Sequence, residues 1–324
     1  MKTNEEIEYK LCVTSAIIVE GYLWFCSACY NFLFKCNLTD YKIEDAVEFP
    51  VGCAGSPASV VHMSYSNRSI YLFANNANNN LIRYDLDSMS MSLLPGLFGN
   101  VTFGNFSDED VNYIYVSIVD QKKVMLVNKD NLKVEMRPIM CNGTGIQVLK
   151  KINNGFAFLE TGIGDVVISD ENFIEKERIT CKPNGFEIAY DNYYPGIGIA
   201  YNTEEVTVFP QYANMVYSVN LSKGTVRQRG ERFIKYKNEG DNGPRYSCLR
   251  RMNNLNWIFS NEYNCWLIYD DQLKEISKIQ MSIASNVKNK MDNINILNTN
   301  TKEKLFYESG QIYTLENFIN SLTM

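Results

Sequence analysis

A chain of 324 residues would ordinarily divide into two domains, and with 45% apolar and 13% aromatic side chains it has ample material for a core. The net charge of −6 and the pI near 5.1 argue against a nucleic-acid partner, because neutralising phosphates takes a dense positive surface. Three glutamates lie among the first ten residues, where a secretory signal needs positive charge, and the apolar stretch 11–19 is too short to cross a bilayer; a cytoplasmic protein with no membrane contact is expected.

From the N-terminus onward one unit recurs: a short apolar strand, a polar loop, and a second apolar strand closing on Asp, Asn or Glu. The closing residues are Asn37, Asp85, Asn128, Asp170, Asn220, Asp270 and, in a degenerate last copy, Glu316, forty to fifty residues apart. The first strands fall at 22–26, 70–73, 113–117, 156–159, 206–209, 257–259 and 305–307. The second fall at 32–36, 81–84, 124–127, 166–169, 215–219, 265–269 and 311–315. Both are apolar at nearly every residue, as a layer sandwiched between two neighbours requires. A more polar, alternating strand follows, as at 42–47. An inner strand precedes each pair, visible in the internal match of Leu-Lys-Lys-Ile-Asn-Asn at 149–154 with Leu-Arg-Arg-Met-Asn-Asn at 249–254.

Four strands per unit at this period describe propeller blades, with strands A to D running from the axis outward. We therefore expect an all-β fold, one β-propeller domain over 1–324, with seven blades, or six if 314–322 forms a terminal helix instead. In the seven-bladed ring the last copy lacks strand D, and residues 7–11 would supply it, closing the ring with an N-terminal strand.

The apolar pair, the Asn-bearing loop and a strand such as Leu-Ile-Arg-Tyr-Asp-Leu at 81–86 resemble uncharacterised bacterial propeller repeat proteins, distantly similar to the kelch and NHL types. The resemblance covers nearly the whole chain and implies architecture alone.

Much of the motif content reads as construction. The closing Asp or Asn is expected to bond the backbone of the next turn, and the loop asparagines Asn31, Asn79, Asn214 and Asn264 to shape theirs. Cys26 and Cys29 form a Cys-x-x-Cys pair. Zinc would need further ligands, with Cys36 or Cys53 the candidates, and a redox role would want a helix N-terminus; the strand-loop-strand setting offers neither. The odd total of nine cysteines suits reduced thiols. With a single histidine and Asp108-Glu109-Asp110 reading as a solvated turn, no metal and no cofactor are expected.

What remains outside the repeat is small. Tyr30, Tyr190, Tyr193, Tyr194, Tyr212 and Tyr263 fall in the B–C and D–A loops beside Asn75, Asn76, Asn78 and Gln211, and aromatic platforms with amide partners suit peptides or sugar rings. Arg250 and Arg251, like Lys150 and Lys151 two blades earlier, occupy successive positions on an A strand, so one of each pair points to the channel and the other into the blade interface. These residues favour a non-catalytic recognition or interaction scaffold that binds a protein segment, peptide or glycan-like ligand on its loop face. Its contacts would come from Tyr30, Asn76, Tyr193, Tyr194, Tyr212, Tyr263, Arg250 and Arg251. The alternative is a lyase or hydrolase acting on a small or sugar substrate at the channel mouth, with His62 as general acid–base. No nucleophile motif or phosphate loop accompanies that histidine.

Overall fold

The structure, a computed structural model, describes residues 9–50, 60–75, 81–94, 98, 101–104, 106–187, 196–210, 213–230 and 246–299. They form six four-stranded antiparallel blades around a common axis. The first holds β1 (Val13–Val19), β2 (Tyr22–Ser27), β3 (Phe32–Asn37) and β4 (Lys42–Glu48). The second holds β5 (Val60–Ser66), β6 (Ser69–Ala74), β7 (Leu81–Asp85) and β8 (Ser90–Leu94). The third holds β9 (Asp108–Glu109), β10 (Tyr113–Ser117), β11 (Lys123–Asn128) and β12 (Val134–Pro138). The fourth and fifth hold β13 (Ile146–Ile152), β14 (Gly155–Glu160), β15 (Val166–Ser169), β16 (Glu175–Ile179), and β17 (Gly196–Tyr201), β18 (Glu205–Pro210), β19 (Val216–Asn220), β20 (Val226–Arg229). The sixth holds β21 (Tyr246–Met252), β22 (Leu255–Ser260), β23 (Cys265–Tyr269) and β24 (Glu275–Ile279), followed by the short β25 (Ser282–Ile283) and the helix α1 (Ser285–Thr299).

The expected count of seven is corrected to six. Inner strands β21 and β1 lie side by side, so the sixth blade abuts the first and leaves no gap for another. One core cluster spans that seam, uniting Phe25 and Phe34 with Trp257, Phe259 and Trp266. The degenerate copy at 304–318 and the helix expected at 314–322 both lie outside the described residues, and the observed helix stands upstream of them. The other clusters likewise fill the spaces between neighbouring blades, which is why the B and C strands are apolar on both faces.

Closure of the ring by an N-terminal strand is not shown: residues 7 and 8 of the expected strand lie outside the described residues. Tyr9 to Leu11 form no ladder; they are held by one side chain of the sixth blade, Asn264, whose Oδ1 accepts from the Leu11 N–H at 3.0 Å while its Nδ2 donates to the Tyr9 carbonyl at 2.8 Å. Asn214 clamps Gly185 and Glu187 in the same way, at 2.9 and 3.0 Å. The seam is crossed a second time by the C-terminal segment: β25 pairs in parallel with β4, and Lys290 of α1 donates to Asp45 Oδ1 at 2.9 Å and to the Ala46 carbonyl at 2.7 Å. This covers the outer edge of the first blade, an edge that would otherwise offer unpaired backbone to another chain.

The closing residues act as the sequence implies. Asp85 Oδ1 accepts from the N–H groups of Asp87 and Ser88, Asn220 Oδ1 from Ser222 and Lys223, and Asp270 Oδ1 from Gln272 and Lys274. Asn37, Asn128 and Asp170 make equivalent bonds.

Candidate functional site

Five of the six inner strands carry a bulge near their start, with register shifts between Val13 and Ser15, Val60 and His62, Ile146 and Val148, Gly196 and Gly198, and Tyr246 and Cys248. A bulge frees a carbonyl from the ladder, and the channel uses these: the Val61 carbonyl accepts from Arg250 and the Gln147 carbonyl from Ser117 Oγ at 3.3 Å.

Arg250 fills the axis. From the sixth blade its Nη2 donates to Ser15 Oγ of the first blade at 3.1 Å and to the Val61 carbonyl of the second, and its Nη1 donates to the Leu249 carbonyl at 3.0 Å. The guanidinium carbon also stands 4.5 Å from the centre of the Phe106 ring. One side chain thus touches four elements of the ring, and it is only 6% exposed. Burial pulls its pKa down, while Cys248, Asp108 and Glu109 support the charge. Its Nε finds no hydrogen-bond partner among the described residues.

Around this cation the remaining channel groups pair with one another. Lys150 Nζ lies 2.8 Å from Asp108 Oδ2. His62, 4% exposed, places Nε2 at 3.4 Å from Glu109 Oε2, and Glu109 Oε1 takes Lys129 Nζ at 3.2 Å. Burial lowers the His62 pKa and keeps the ring neutral near pH 7, against the opposing pull of Glu109. Burial pushes Glu109 upward, but the bond to His62 and the charge of Lys129 outweigh it and hold the carboxyl below its ordinary range. Chemically, a neutral imidazole beside a carboxylate is an oriented base. Here, however, its Nδ1 is buried without a partner among the described residues, and its other nitrogen is engaged.

The period-two expectation for the paired cations is met for the inward member of each pair and corrected for the other, which lies on an outer turn and not in the blade interface. Lys150 and Arg250 point inward, whereas Lys151 pairs with Glu171 and Arg251 with Asp271 on the outer turns. Arg251 therefore lies apart from Arg250 and does not join it at a channel-end anion site. The reading of Asp108-Glu109-Asp110 as a solvated turn is corrected for its first two residues, which form β9 and supply the counterions of the channel. Asp110 alone behaves as a turn residue, accepting from the N–H groups of Asn112 and Tyr113.

On the loop face Tyr263 is 48% exposed, with Lys278 Nζ 4.0 Å from its ring centre, and Met140 and Ile163 of the same face are exposed as well. Tyr30 does not join them. It is 6% exposed and lies in the seam cluster, edge-on to Phe34 at 6.1 Å, because the sixth blade covers its loop. Asn75 ties the end of β6 to a segment 28 positions away, exchanging bonds with the Phe103 backbone at 2.7 and 3.1 Å. Asn76, Asn78, Tyr190, Tyr193, Tyr194, Gln211 and Tyr212 lie outside the described residues. On the opposite face Met89, Val111 and Ile174 are exposed at turn tips.

One cluster had no sequence signal. Glu160, fully buried at the end of β14, accepts from Arg178 Nη1 at 2.6 Å and from the Asn142 N–H at 2.8 Å. Asp165 stands 3.7 Å from Arg178 and 3.8 Å from Lys182, whose Nζ donates to the Gly164 carbonyl at 2.7 Å. These charges lie on strands and loops whose spacing does not announce their meeting, and they tie the B–C and D–A loops of the fourth blade to each other. Among the described residues no three His, Cys, Asp or Glu side chains gather as a metal site, and no helix is long and apolar enough to cross a membrane.

No protein-family model matches the sequence, and no curated protein does. Solved structures match in fold. A streptogramin B lyase is 13% identical over 85% of each chain with a TM-score of 0.56. A catalytically inactive virginiamycin B lyase from Staphylococcus aureus with quinupristin is 13% identical over 85% of this chain and 86% of that one, also at 0.56. PorZ, a surface component of the type-IX secretion system of Porphyromonas gingivalis, is 12% identical over 86% of this chain and 35% of its own, at 0.50. At these identities the likeness shows the β-propeller fold alone.

Proposed function

We propose that this protein is a non-catalytic recognition scaffold whose loop face holds an extended protein segment. The observation that carries this reading is the division of labour between axis and face. The channel's charges are spent on one another and on the ring, whereas Tyr263 stands half exposed on the loop face with a lysine over its ring, rigid contact area next to a charge. Met140 and Ile163 add apolar surface on that face. A cytoplasmic location belongs to the same reading; the eight described cysteines are free thiols.

The test is selection of binding peptides from a displayed library, followed by anisotropy titration of wild type, Tyr263→Ala, Ile163→Glu and His62→Gln. The reading requires loss of at least about tenfold in affinity for the two loop variants, the size of a lost interface anchor, and none for the channel variant. Binding to a glycan panel with no peptide selected would move the ligand class to carbohydrate, and unchanged binding by both loop variants would overturn the site.

A second reading, a lyase, is favoured by the fold likeness to the streptogramin B and virginiamycin B lyases together with the His62–Glu109 pair. It predicts consumption of quinupristin by the wild type, read by mass spectrometry, and loss of that turnover in a folded His62→Ala variant.

A further inference from the structure

The Cys-x-x-Cys motif does not pair with itself. Cys26 is buried in strand β2 against Met63 Sδ at 4.0 Å, and burial pushes its thiol up. Cys29, exposed in the loop between β2 and β3, has instead a neighbour 17 positions earlier in the chain: Cys12, which stands just ahead of β1 and whose thiol perturbs its own. The backbones on either side are stitched together. The Ala28 N–H donates to the Cys12 carbonyl at 2.9 Å; Ser27 Oγ donates to the Leu11 carbonyl and accepts from the Cys29 N–H at 2.9 Å. Cys12 itself is held at φ 42°, a left-handed conformation that few residues with a side chain adopt, and the clamp of Asn264 on Leu11 fixes it from the sixth blade.

We propose that Cys12 and Cys29 form a redox-active dithiol that exchanges reversibly with small disulfides of the glutathione class. Cys29 is the attacking group: it is exposed to solvent whereas Cys12 is half-buried, and its neighbour Cys12 first, then the charge of Lys10, hold its thiol below the ordinary value. Cys12, half-buried, is pushed up by Cys29 and by burial and resolves the mixed disulfide. In the first step the Cys29 thiolate forms a bond to one sulfur of glutathione disulfide, and the other leaves as glutathione thiolate. In the second, Cys12 gives its proton to solvent and attacks the Cys29 sulfur, and the second glutathione leaves. Two electrons pass from the protein to glutathione and the Cys12–Cys29 bond closes. The product ties the lead-in to β1 to the B–C loop of the same blade, next to the seam where Asn264 holds Tyr9 and Leu11. By closing a loop in the unfolded chain it also raises stability.

The experiment equilibrates the full chain with glutathione and its disulfide over a range of ratios, traps thiols by alkylation, and maps peptides by mass spectrometry. The expected result is a Cys12–Cys29 disulfide that forms and is reduced reversibly, persists in Cys26→Ser and is absent from Cys29→Ser. The oxidised wild type should melt several degrees above the reduced form. Glutathione accumulating on Cys29 with Cys12 still alkylatable at every ratio, or a Cys26–Cys29 bond, would overturn the proposal. The wild-type peptide map decides between these even if a variant fails to fold.

Discussion

If Arg250 is the part that fills the axis, its loss should be felt by the ring as a whole. Arg250→Ala removes the donor to three buried acceptors, Ser15 Oγ and the carbonyls of Val61 and Leu249. A buried acceptor left without its partner costs about 1–3 kcal/mol, though neighbouring groups relax. The carboxylates nearby are not stranded, since Asp108 retains Lys150 and Glu109 retains Lys129. Three acceptors at the low end of that cost, together with the lost side-chain volume, make the expected loss about 3–5 kcal/mol, with about 2–3 kcal/mol for Arg250→Met, which keeps the volume and loses only the donors. Urea unfolding followed by the fluorescence of Trp24, Trp257 and Trp266, in the first and sixth blades, reads the seam directly. Arg250→Met as stable as the wild type would refute the reasoning, because the acceptors would then not need the cation.

His62 titrates with a defined sign. Its folded pKa lies below the ordinary 6.5, so the unfolded chain takes up the proton first, and the stability it contributes is complete above about pH 6.5 and lost as pH falls below that value. Between pH 7 and 5 the urea midpoint of wild type should fall further than that of His62→Gln; parallel curves would contradict the assignment. Glu109 is also held low, but it titrates below its ordinary 4.5 and leaves that interval clear. Asn264→Ala should cost about 1–3 kcal/mol through its two lost backbone bonds, and hydrogen exchange at the Leu11 amide should rise with it. Asp270→Ala should cost about 0.5–1.5 kcal/mol, since the turn after β23 loses two backbone bonds that water can replace; a loss above about 3 kcal/mol would show that the residue does more than shape the turn.

The blades were legible because their chemistry is local. A strand squeezed between two sheets must be apolar on both faces, and an Asp or Asn at its end must answer the next turn's N–H groups, so Asp85 and Asn220 mark blade ends in any sequence of this kind. The count was not legible, because whether residues 304–318 form a blade depends on whether β1 already meets β21, a contact between opposite ends of the chain. The same limit hid the channel. A run of Asp and Glu looks solvated until Lys150 and His62 arrive from neighbouring blades, and Arg250 cannot be seen to reach Ser15 from 235 positions away. Tyr30 stood in a loop, as expected, but loops at a seam are covered by the next blade. Cys29 lies beside Cys12 rather than Cys26 because Cys26 is held in the core within β2, while Cys29 stands beyond the end of that strand, exposed in the loop.

The reading of this protein as a scaffold that works through its loops, with an axis that serves the ring, is tested most directly by hydrogen–deuterium exchange with and without a selected peptide. Protection of the loops at 161–165 and 261–264, with the inner strand at 60–66 unchanged, is the predicted result. Protection confined to the inner strands around His62 and Arg250 would contradict it and place the ligand in the channel.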